Sequence, residues 1–268
     1  MRYKLYLPAS LDTASAPPPL LVMLHGCNQT AEDFAKGTRM NEIAEEKGVI
    51  VLYPWQSRQA HPHRCWNWYR ADDRKRDAGE PGALASLVCT VRDRHHADPA
   101  RVYIAGLSAG ASTAINLGHL YPDVFAAVGE HSGLPRGAAR HTASALLSMA
   151  QGNPGNRNDT AVPTIILHGS DDRVVNPRNG RFLAIRAHET YPTLQRVELR
   201  GQVPGGHSYL RASYRIGRGK TYVEHWLIEG SGHAWSGGSR AGRFVDPKGP
   251  DASREMLRFF LQHRLKQA

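Results

Sequence analysis

A glycine-flanked serine in the middle of the chain places the tightest constraint on the fold. Residues 106–110 read Gly-Leu-Ser-Ala-Gly, which fits the pattern G-x-S-x-G. An apolar segment typical of a strand precedes it, and a helix-forming segment follows it. That order is typical of a strained turn that lifts a serine off the end of a strand and onto the start of a helix. The sequence therefore predicts Ser108 at such a turn as a nucleophile, the alternative being a merely structural serine.

Short apolar segments alternate with helical segments along the chain. Residues 20–24, 49–53, 101–105 and 164–167 each form a brief apolar run, which is typical of a parallel strand buried on both faces. Strands that alternate with helices favour parallel pairing with right-handed crossovers. We therefore expect a single α/β domain over residues 1–268, with a mostly parallel central sheet and helices on both faces.

Other segments have weaker signals. Capping residues predict a helix over residues 30–47. Residues 54–82 are rich in tryptophan and lack periodicity, which is typical of a functional loop. We expect a strand over residues 124–128, an irregular segment over residues 129–160, and a closing helix over residues 250–265.

A nucleophilic serine needs a general base and an acid that orients the base, here expected in the order Ser, Asp or Glu, His. Asp171 and Asp172 follow the predicted strand at residues 164–167, where open α/β sheets place their sites, and the residues alone leave both open. His233 lies in a glycine-rich loop after a predicted strand. His207 follows no clear strand, so we favour His233 as the base.

Acyl transfer also needs two N–H donors directed at the oxyanion of the transition state. The backbone N–H of Ala109, directly after Ser108, is the natural first donor. The turn His25-Gly26-Cys27 follows the first buried strand, and we assign the second donor to the N–H of Cys27. The alternative for this turn is an ordinary tight turn without a catalytic role.

The charge and the metal-ligand pattern exclude several function classes. The chain has 34 Lys and Arg against 24 Asp and Glu, but the basic residues alternate with acids, as in residues 70–77, so we expect no nucleic-acid partner. No apolar run approaches the roughly 20 residues that span a bilayer. His61, His63 and Cys65 lack a fourth ligand at zinc-site spacing, so neither a metal nor an organic cofactor is expected.

Several longer segments together resemble one known family. They are LHGCNQT (24–30), CWNWY (65–69), GE (79–80), DPARVYIAGLSAGA (98–111), YPDVFAAVGEHSGLP (121–135), LHGSDDRVV (167–175) and GHAWSGG (232–238). With these segments, which extend over most of its length, the chain resembles polyhydroxybutyrate-depolymerase-type esterases. That family is a branch of the α/β hydrolases and is similar to feruloyl and acetylxylan esterases. The resemblance implies an α/β-hydrolase fold and a serine esterase.

The resemblance also implies roles for particular residues. The family pattern HG-x-x-D-x-x-V places the acid at Asp172, with Val175 completing the match. Trp66 and Trp68 are expected near the cleft and, with Trp235, are the candidate substrate-binding residues. Rings in such positions can stack on an aromatic acyl group or lie along a polyester chain, the alternative being core or loop packing. Cys27 and Cys65 both lie in family segments, and whether they form a disulfide is left open.

The expected substrates are small or oligomeric esters of the hydroxyalkanoate type. Extracellular polyester depolymerases of this family have a linker and a separate polymer-adsorbing domain, and this chain ends soon after its last predicted helix, so we do not expect it to attack insoluble polymer. The alternatives are a feruloyl or acetylxylan-type esterase, an acyltransferase or peptidase with the same triad, and a non-catalytic binding protein on a hydrolase scaffold. The resemblance suggests a secreted or periplasmic protein, although residues 1–8 lack the pattern of a signal peptide.

Overall fold

A computed structural model describes residues 1–13, 16–157, 160–191 and 193–266. The strands are β1 (Arg2–Tyr6), β2 (Leu20–Leu24), β3 (Ile50–Trp55), β4 (Val102–Leu107), β5 (Ala127–His131), β6 (Thr164–Gly169), β7 (Gln195–Gln202), β8 (Ser208–Arg215), β9 (Thr221–Ile228), β10 (Trp235–Ser236) and β11 (Val245–Asp246). The helices are α1 (Ala31–Thr38), α2 (Met40–Lys47), α3 (Gly79–Arg94), α4 (Ala109–Leu120), α5 (Thr142–Gln151), α6 (Arg178–Glu189) and α7 (Ala252–Phe260).

Nine of these strands form one sheet in the order β1-β3-β2-β4-β5-β6-β9-β8-β7. The six strands from β3 to β9 in this order pair in parallel. β1 pairs antiparallel at one edge, and β8 and β7 extend the sheet antiparallel at the other. This mostly parallel sheet with intervening helices confirms the predicted α/β-hydrolase fold.

Two apolar cores cover the two faces of the sheet. Successive side chains of a strand point to opposite faces, and β2 shows this directly. Leu20, Val22 and Leu24 pack in the core that includes α3, α4 and α6, whereas Leu21 and Met23 pack in the core with α1, α2 and α7. All five side chains are fully buried, and burial of each Leu contributes roughly 2 kcal/mol. The continuous apolar run of β2 therefore reflects burial on both faces.

Several segments differ from their predictions. The closing helix, predicted over residues 250–265, is the shorter α7, which ends at Phe260. The predicted helix over residues 30–47 divides into α1 and α2, because Arg39 adopts a left-handed conformation with φ 54°. Residues 124 and 125 belong to a turn whose N–H groups donate to the Tyr121 carbonyl, so β5 begins at Ala127 instead of residue 124. The segment over residues 129–160, predicted as irregular, contains α5.

The parallel strands bring the candidate site residues to one edge of the sheet. Leu24 pairs with Gly106, Leu107 with His131, and Gly169 with Ile228, so the carboxyl ends of these strands are level with one another. The loops that follow β2, β4, β6 and β9 therefore lie along the same edge. Among the described residues, no helix is both long enough and apolar enough to cross a membrane.

Candidate active site

Ser108 occupies a strained backbone conformation between β4 and α4. Its φ is 58° and its ψ is −121°, a region that non-glycine residues rarely adopt. Strain of this kind costs about 1–3 kcal/mol and is concentrated at functional sites. The Ser108 N–H donates to the carbonyl of His131 at 2.9 Å, which fixes the turn against β5. This conformation is the one expected for a nucleophile held at the end of a strand.

The two flanking glycines are required by close backbone contacts. A Cβ atom on Gly106 would lie 2.4 Å from the carbonyl carbon of Gly110, and a Cβ atom on Gly110 would lie 2.2 Å from the carbonyl oxygen of Leu24. Both distances are far below van der Waals contact. The G-x-S-x-G pattern therefore has a steric cause in this structure.

Asp172 and His233 form a hydrogen-bonded pair at the same edge of the sheet. His233 Nδ1 lies 2.7 Å from Asp172 Oδ2. The other carboxylate oxygen, Oδ1, accepts hydrogen bonds from the N–H groups of Val174 at 2.9 Å and Val175 at 2.8 Å. Since an ionised carboxylate only accepts, Nδ1 of His233 carries the proton and Nε2 is left as a base. Asp172 thus sets the tautomer that a general base needs.

The rival residues lie in different surroundings. Asp171 is exposed, and its carboxylate accepts a hydrogen bond from the neighbouring Ser170 hydroxyl at 3.0 Å. His207 Nε2 lies 2.9 Å from Asp246 Oδ2. The contacts with His233 therefore favour Asp172 over Asp171, as the family resemblance had implied.

A second histidine, His168, also contacts Asp172. Its Nε2 lies 2.9 Å from the Val175 carbonyl and 3.3 Å from Asp172 Oδ2. Burial alone would raise the pKa of Asp172, but the hydrogen bonds from His168 and His233 outweigh burial and hold this pKa well below its usual range. Sequence reasoning missed His168, although it is the first residue of the HG-x-x-D-x-x-V pattern.

Glu130 is a buried acid close to this network. Burial raises its pKa to about 7, although the charge of His168 and a hydrogen bond from the Gly133 N–H at 2.6 Å both act to lower it. Its Oε1 atom is buried and has no hydrogen-bond partner among the described residues. Sequence reasoning missed Glu130 as well, because a single Glu in an apolar strand gives no signal of its position relative to Asp172.

The two candidate oxyanion donors are free. Within the part of the chain that the structure describes, the N–H groups of Cys27 and Ala109 donate to no other protein group. Cys27 follows β2, and Ala109 is the first residue of α4, where N–H groups have no partner within the helix. The Ser108 hydroxyl likewise makes no hydrogen bond with any described residue, including His233. Catalytic hydrogen bonds are often long before a substrate is bound.

A disulfide joins Cys27 to Cys65 and attaches a loop to the turn that follows β2. We call residues 56–71 the disulfide loop. The N–H of Asn28 donates to the carbonyl of His63 at 2.6 Å, which gives a second attachment beside the first. Further along the loop, the carboxylate of Glu80 accepts hydrogen bonds from the backbone N–H of Asn67 at 2.8 Å and from its side-chain amide at 2.6 Å. The disulfide loop is therefore held at three or more points.

The three candidate substrate-binding tryptophans are buried. Trp66 and Trp235 have no exposed surface, and Trp68 is 6% exposed. The indole N–H of Trp66 donates to the His25 carbonyl at 3.0 Å, and that of Trp235 donates to the Ser253 hydroxyl at 3.1 Å. This burial favours the packing alternative, in which the rings support the loops around the site. Direct contact with a substrate stays a prediction.

Comparison with known proteins decides the family. Residues 1–187 match the family described as Esterase PHB depolymerase. The chain belongs to this family. The match confirms the resemblance inferred from the sequence segments.

Curated relatives include two kinds of esterase. Poly(3-hydroxyalkanoate) depolymerase C of Paucimonas lemoignei is 31% identical over 232 residues, which cover 81% of this chain and 55% of the relative. Feruloyl esterase B of Thermothelomyces thermophilus is 30% identical over 249 residues, which cover 85% of this chain and 82% of the relative. The chain spans about half the length of the depolymerases it matches, including the poly(3-hydroxybutyrate) depolymerase of Ralstonia pickettii at 51%.

Solved structures share the fold at low sequence identity. An acetyl xylan esterase from Aspergillus awamori superposes with a TM-score of 0.73 at 17% identity, covering 97% of this chain and 93% of that chain. The esterase PE8 superposes with a TM-score of 0.57 at 16% identity, covering 95% of this chain and 96% of that chain. Both are similar in architecture to this member of the family.

Proposed function

We propose that this member of the esterase family hydrolyses carboxylic esters with Ser108 as nucleophile, His233 as general base and Asp172 as the orienting acid. The observation that carries the proposal is the hydrogen bond of 2.7 Å between His233 Nδ1 and Asp172 Oδ2, at the sheet edge where Ser108 sits on its strained turn. A buried acid that orients a histidine near a strained serine is the arrangement that nucleophilic acyl transfer requires.

The first half of the reaction forms an acyl-enzyme. His233 Nε2 takes the proton of the Ser108 hydroxyl as its oxygen attacks the ester carbonyl. The carbonyl oxygen becomes an oxyanion, and the free N–H groups of Cys27 and Ala109 donate to it. The protonated His233 then gives its proton to the leaving alcohol, and the ester C–O bond breaks. Loss of one such N–H donor typically lowers kcat about 10²-fold to 10³-fold.

The second half of the reaction releases the acid. A water molecule gives its proton to His233 Nε2 as its oxygen attacks the acyl carbonyl, and the same two N–H groups stabilise the second oxyanion. The proton then returns to Ser108 as the acid leaves. Throughout the cycle the ionised Asp172 stabilises the imidazolium form of His233. No step in this scheme needs a metal or an organic cofactor.

The proposed substrates are small or oligomeric esters of hydroxyalkanoic acids. The depolymerase names of the relatives in Paucimonas lemoignei and Ralstonia pickettii support this class. A feruloyl ester is the second candidate, because feruloyl esterase B is matched over 82% of its own length, more than either depolymerase.

A substrate panel tests both candidates. The panel contains p-nitrophenyl esters of short and medium acids, methyl ferulate and soluble hydroxybutyrate oligomers, and each is offered to the wild-type protein and to Ser108→Ala. We expect the wild type to prefer the oligomers and Ser108→Ala to lose essentially all activity on every ester. A preference for methyl ferulate would select the second candidate. Equal activity of the two proteins would refute the role of Ser108.

A further inference from the structure

A cleft with a positive lining lies along the disulfide loop, which is bonded to the turn of the proposed oxyanion donor Cys27. Its volume is about 460 Å³. One wall is the disulfide loop, with Asn67, Tyr69 and Arg70, and the other wall is the entry into α5, with Arg140 and Thr142. The hydroxyls of Tyr69 and Thr142 lie 3.4 Å apart, so the two walls touch at that point.

The disulfide places this cleft close to the proposed oxyanion donor. The Cα atoms of Cys27 and Cys65 are 4.3 Å apart. Asn67 follows Cys65 by two residues, and a chain advances at most about 3.6 Å per residue, so its Cα atom lies within roughly 12 Å of the Cα atom of Cys27. The cleft wall thus begins within roughly 12 Å of the turn that supplies the proposed oxyanion donor Cys27, and flexible arginine side chains can span part of that distance.

The two arginines of the cleft are not neutralised by the protein. Arg70 and Arg140 are exposed, and neither forms a salt bridge with any residue that the structure describes. Burial lowers the pKa of His61, which also lines the cleft, and the positive charges of His63 and Arg70 lower it further. The lining is therefore electropositive.

The acids nearest to Arg70 in the sequence form no salt bridge with it, although the positive charge of Arg70 acts to lower the pKa of Asp73 against the larger effect of burial, which raises it. Asp73 is buried and accepts a hydrogen bond from the Glu80 N–H at 2.7 Å. The carboxylate of Glu80 accepts from Asn67, and that of Asp72 lies 3.8 Å from the ammonium of Lys75. No acid stands among the described residues that line the cleft, so a carboxylate that enters it meets two guanidinium groups, with the buried Asp73 as the nearby negative charge.

We propose that this cleft binds a free carboxylate carried by the alcohol part of the substrate, with Arg70 and Arg140 as its partners. Guanidinium groups present paired N–H donors that match a carboxylate. The inference rests on the proposed esterase function and narrows its substrate class. Short hydroxyalkanoate oligomers with a free acid end fit the cleft, whereas acetylated sugars and feruloyl sugars have no such charge.

The test compares two substrates that differ only in this charge. The first is the hydroxybutyrate dimer as a free acid, and the second is the same dimer with its carboxylate replaced by a carboxamide, which is neutral and similar in size. Each contains one ester bond, and the rate is measured by chromatography as loss of the dimer, because cleavage of the acid gives two molecules of 3-hydroxybutyrate whereas cleavage of the amide gives one together with 3-hydroxybutyramide. The readout is the ratio of kcat/KM for the acid to kcat/KM for the amide.

Wild type is expected to favour the acid by about tenfold or more at low salt, since charge-assisted hydrogen bonds are roughly twice as strong as neutral ones. Arg70→Gln and Arg140→Gln are each expected to lower the ratio several-fold, mainly through KM, and the double variant is expected to bring it near one. High salt is expected to lower the wild-type ratio. Arg58→Gln is the matched control, because Arg58 is an exposed arginine of the same loop outside the cleft lining, and it is expected to leave the ratio unchanged.

A wild-type ratio near one, or an equal fall of the ratio in Arg58→Gln, would overturn the proposal while leaving the esterase function intact. Failure of the proposed function gives a different result, in which neither dimer is cleaved and p-nitrophenyl butyrate is not hydrolysed either. In that case the free acid is tested by isothermal titration calorimetry. Binding by wild type that Arg70→Gln and Arg140→Gln both weaken would retain the carboxylate site, and equal binding by all variants would reject it.

Discussion

Replacement of Asp172 by asparagine tests the proposed orientation of His233 at a single pair of atoms. Asp172 Oδ1 accepts from the N–H groups of Val174 and Val175, and an asparagine carbonyl oxygen can take over both hydrogen bonds. The asparagine amide nitrogen then faces His233 Nδ1 at the position where Oδ2 stood, 2.7 Å away. Two N–H donors cannot face each other, so His233 must move its proton to Nε2.

With its proton on Nε2, His233 can no longer accept the proton of Ser108. The same change in another Ser-His-Asp triad lowers kcat about 10⁴-fold, which corresponds to about 5 kcal/mol of transition-state free energy. We therefore expect Asp172→Asn to lose about 10⁴-fold in kcat on p-nitrophenyl butyrate. His168 Nε2 loses the carboxylate 3.3 Å away and keeps the Val175 carbonyl at 2.9 Å, so the thermal midpoint should also fall.

Asp171→Asn is the matched control, because it makes the same chemical change at the neighbouring residue. Asp171 is exposed, and its carboxylate accepts a hydrogen bond only from Ser170 among the described residues, so kcat should stay within about twofold of wild type. Circular dichroism and thermal unfolding establish that both variants are folded. The reasoning is refuted if Asp172→Asn keeps more than about a tenth of wild-type kcat while folded, or if Asp171→Asn loses as much activity.

Three further predictions concern stability. Gly110→Ala places a Cβ atom 2.2 Å from the Leu24 carbonyl oxygen and should lower the free energy of unfolding in urea by at least about 3 kcal/mol. Gly232→Ala is the control, because no atom lies within 4 Å of its Cβ, and it should change this free energy by less than about 1 kcal/mol. Equal effects of the two changes would contradict the steric argument. The double variant Cys27→Ser, Cys65→Ser opens a loop with a sequence separation of 38 and should lower the free energy of unfolding by about 4 kcal/mol in the same assay. An unchanged free energy would show that the disulfide does not restrain the unfolded chain. Burial raises the pKa of Glu130 from 4.5 to about 7, so the folded state binds more protons than the unfolded state between these values and wild type loses stability as the pH rises. Glu130→Gln does not lose stability in this way, so its free energy of unfolding minus that of wild type should increase by up to about 3 kcal/mol from pH 5 to pH 8. If that difference does not change with pH, Glu130 does not titrate in this range.

Local sequence patterns were sufficient for the centre of the sheet. The strands β2, β3, β4 and β6 are buried on both faces, so each contains a short apolar run that can be recognised without knowledge of its neighbours. The turn at Ser108 was predictable for a related reason, because backbone contact with Leu24 and within the turn permits only glycine at residues 106 and 110.

The edges of the sheet depend on contacts that no local pattern contains. β8 was not predicted, because its residues are mostly half-buried and it is stabilised by pairing with β7 and β9 on its two sides. The helix α5 lies in a segment predicted as irregular, and His141 and Ser144 form its capping box with a histidine where Ser, Thr, Asp or Asn is usual. β8 is therefore stabilised by strands outside its own segment, and α5 begins with an unusual capping residue, so a local pattern predicts neither.

The candidate site likewise combines residues that the sequence suggested with residues that only the structure revealed. The candidate nucleophile and base were proposed from order and spacing, while the choice of Asp172 over Asp171 came from the family pattern and is favoured by the hydrogen bond to His233. The second histidine at Asp172 and the buried Glu130 were not found, since three-dimensional packing alone brings β5 beside β6. Burial of the tryptophans likewise could not be read from the sequence, because an aromatic ring suits a core and a cleft equally well.

Direct detection of the acyl-enzyme tests the central claim most directly. Wild-type protein is mixed with excess p-nitrophenyl butyrate, quenched in acid within the first turnovers and digested, and the peptides are analysed by mass spectrometry. We predict a butyryl group on the peptide that contains Ser108, and no butyryl group on any peptide of Ser108→Ala. Steady turnover together with an acyl group on a different residue, or on the Ser108→Ala protein, would contradict the proposed mechanism.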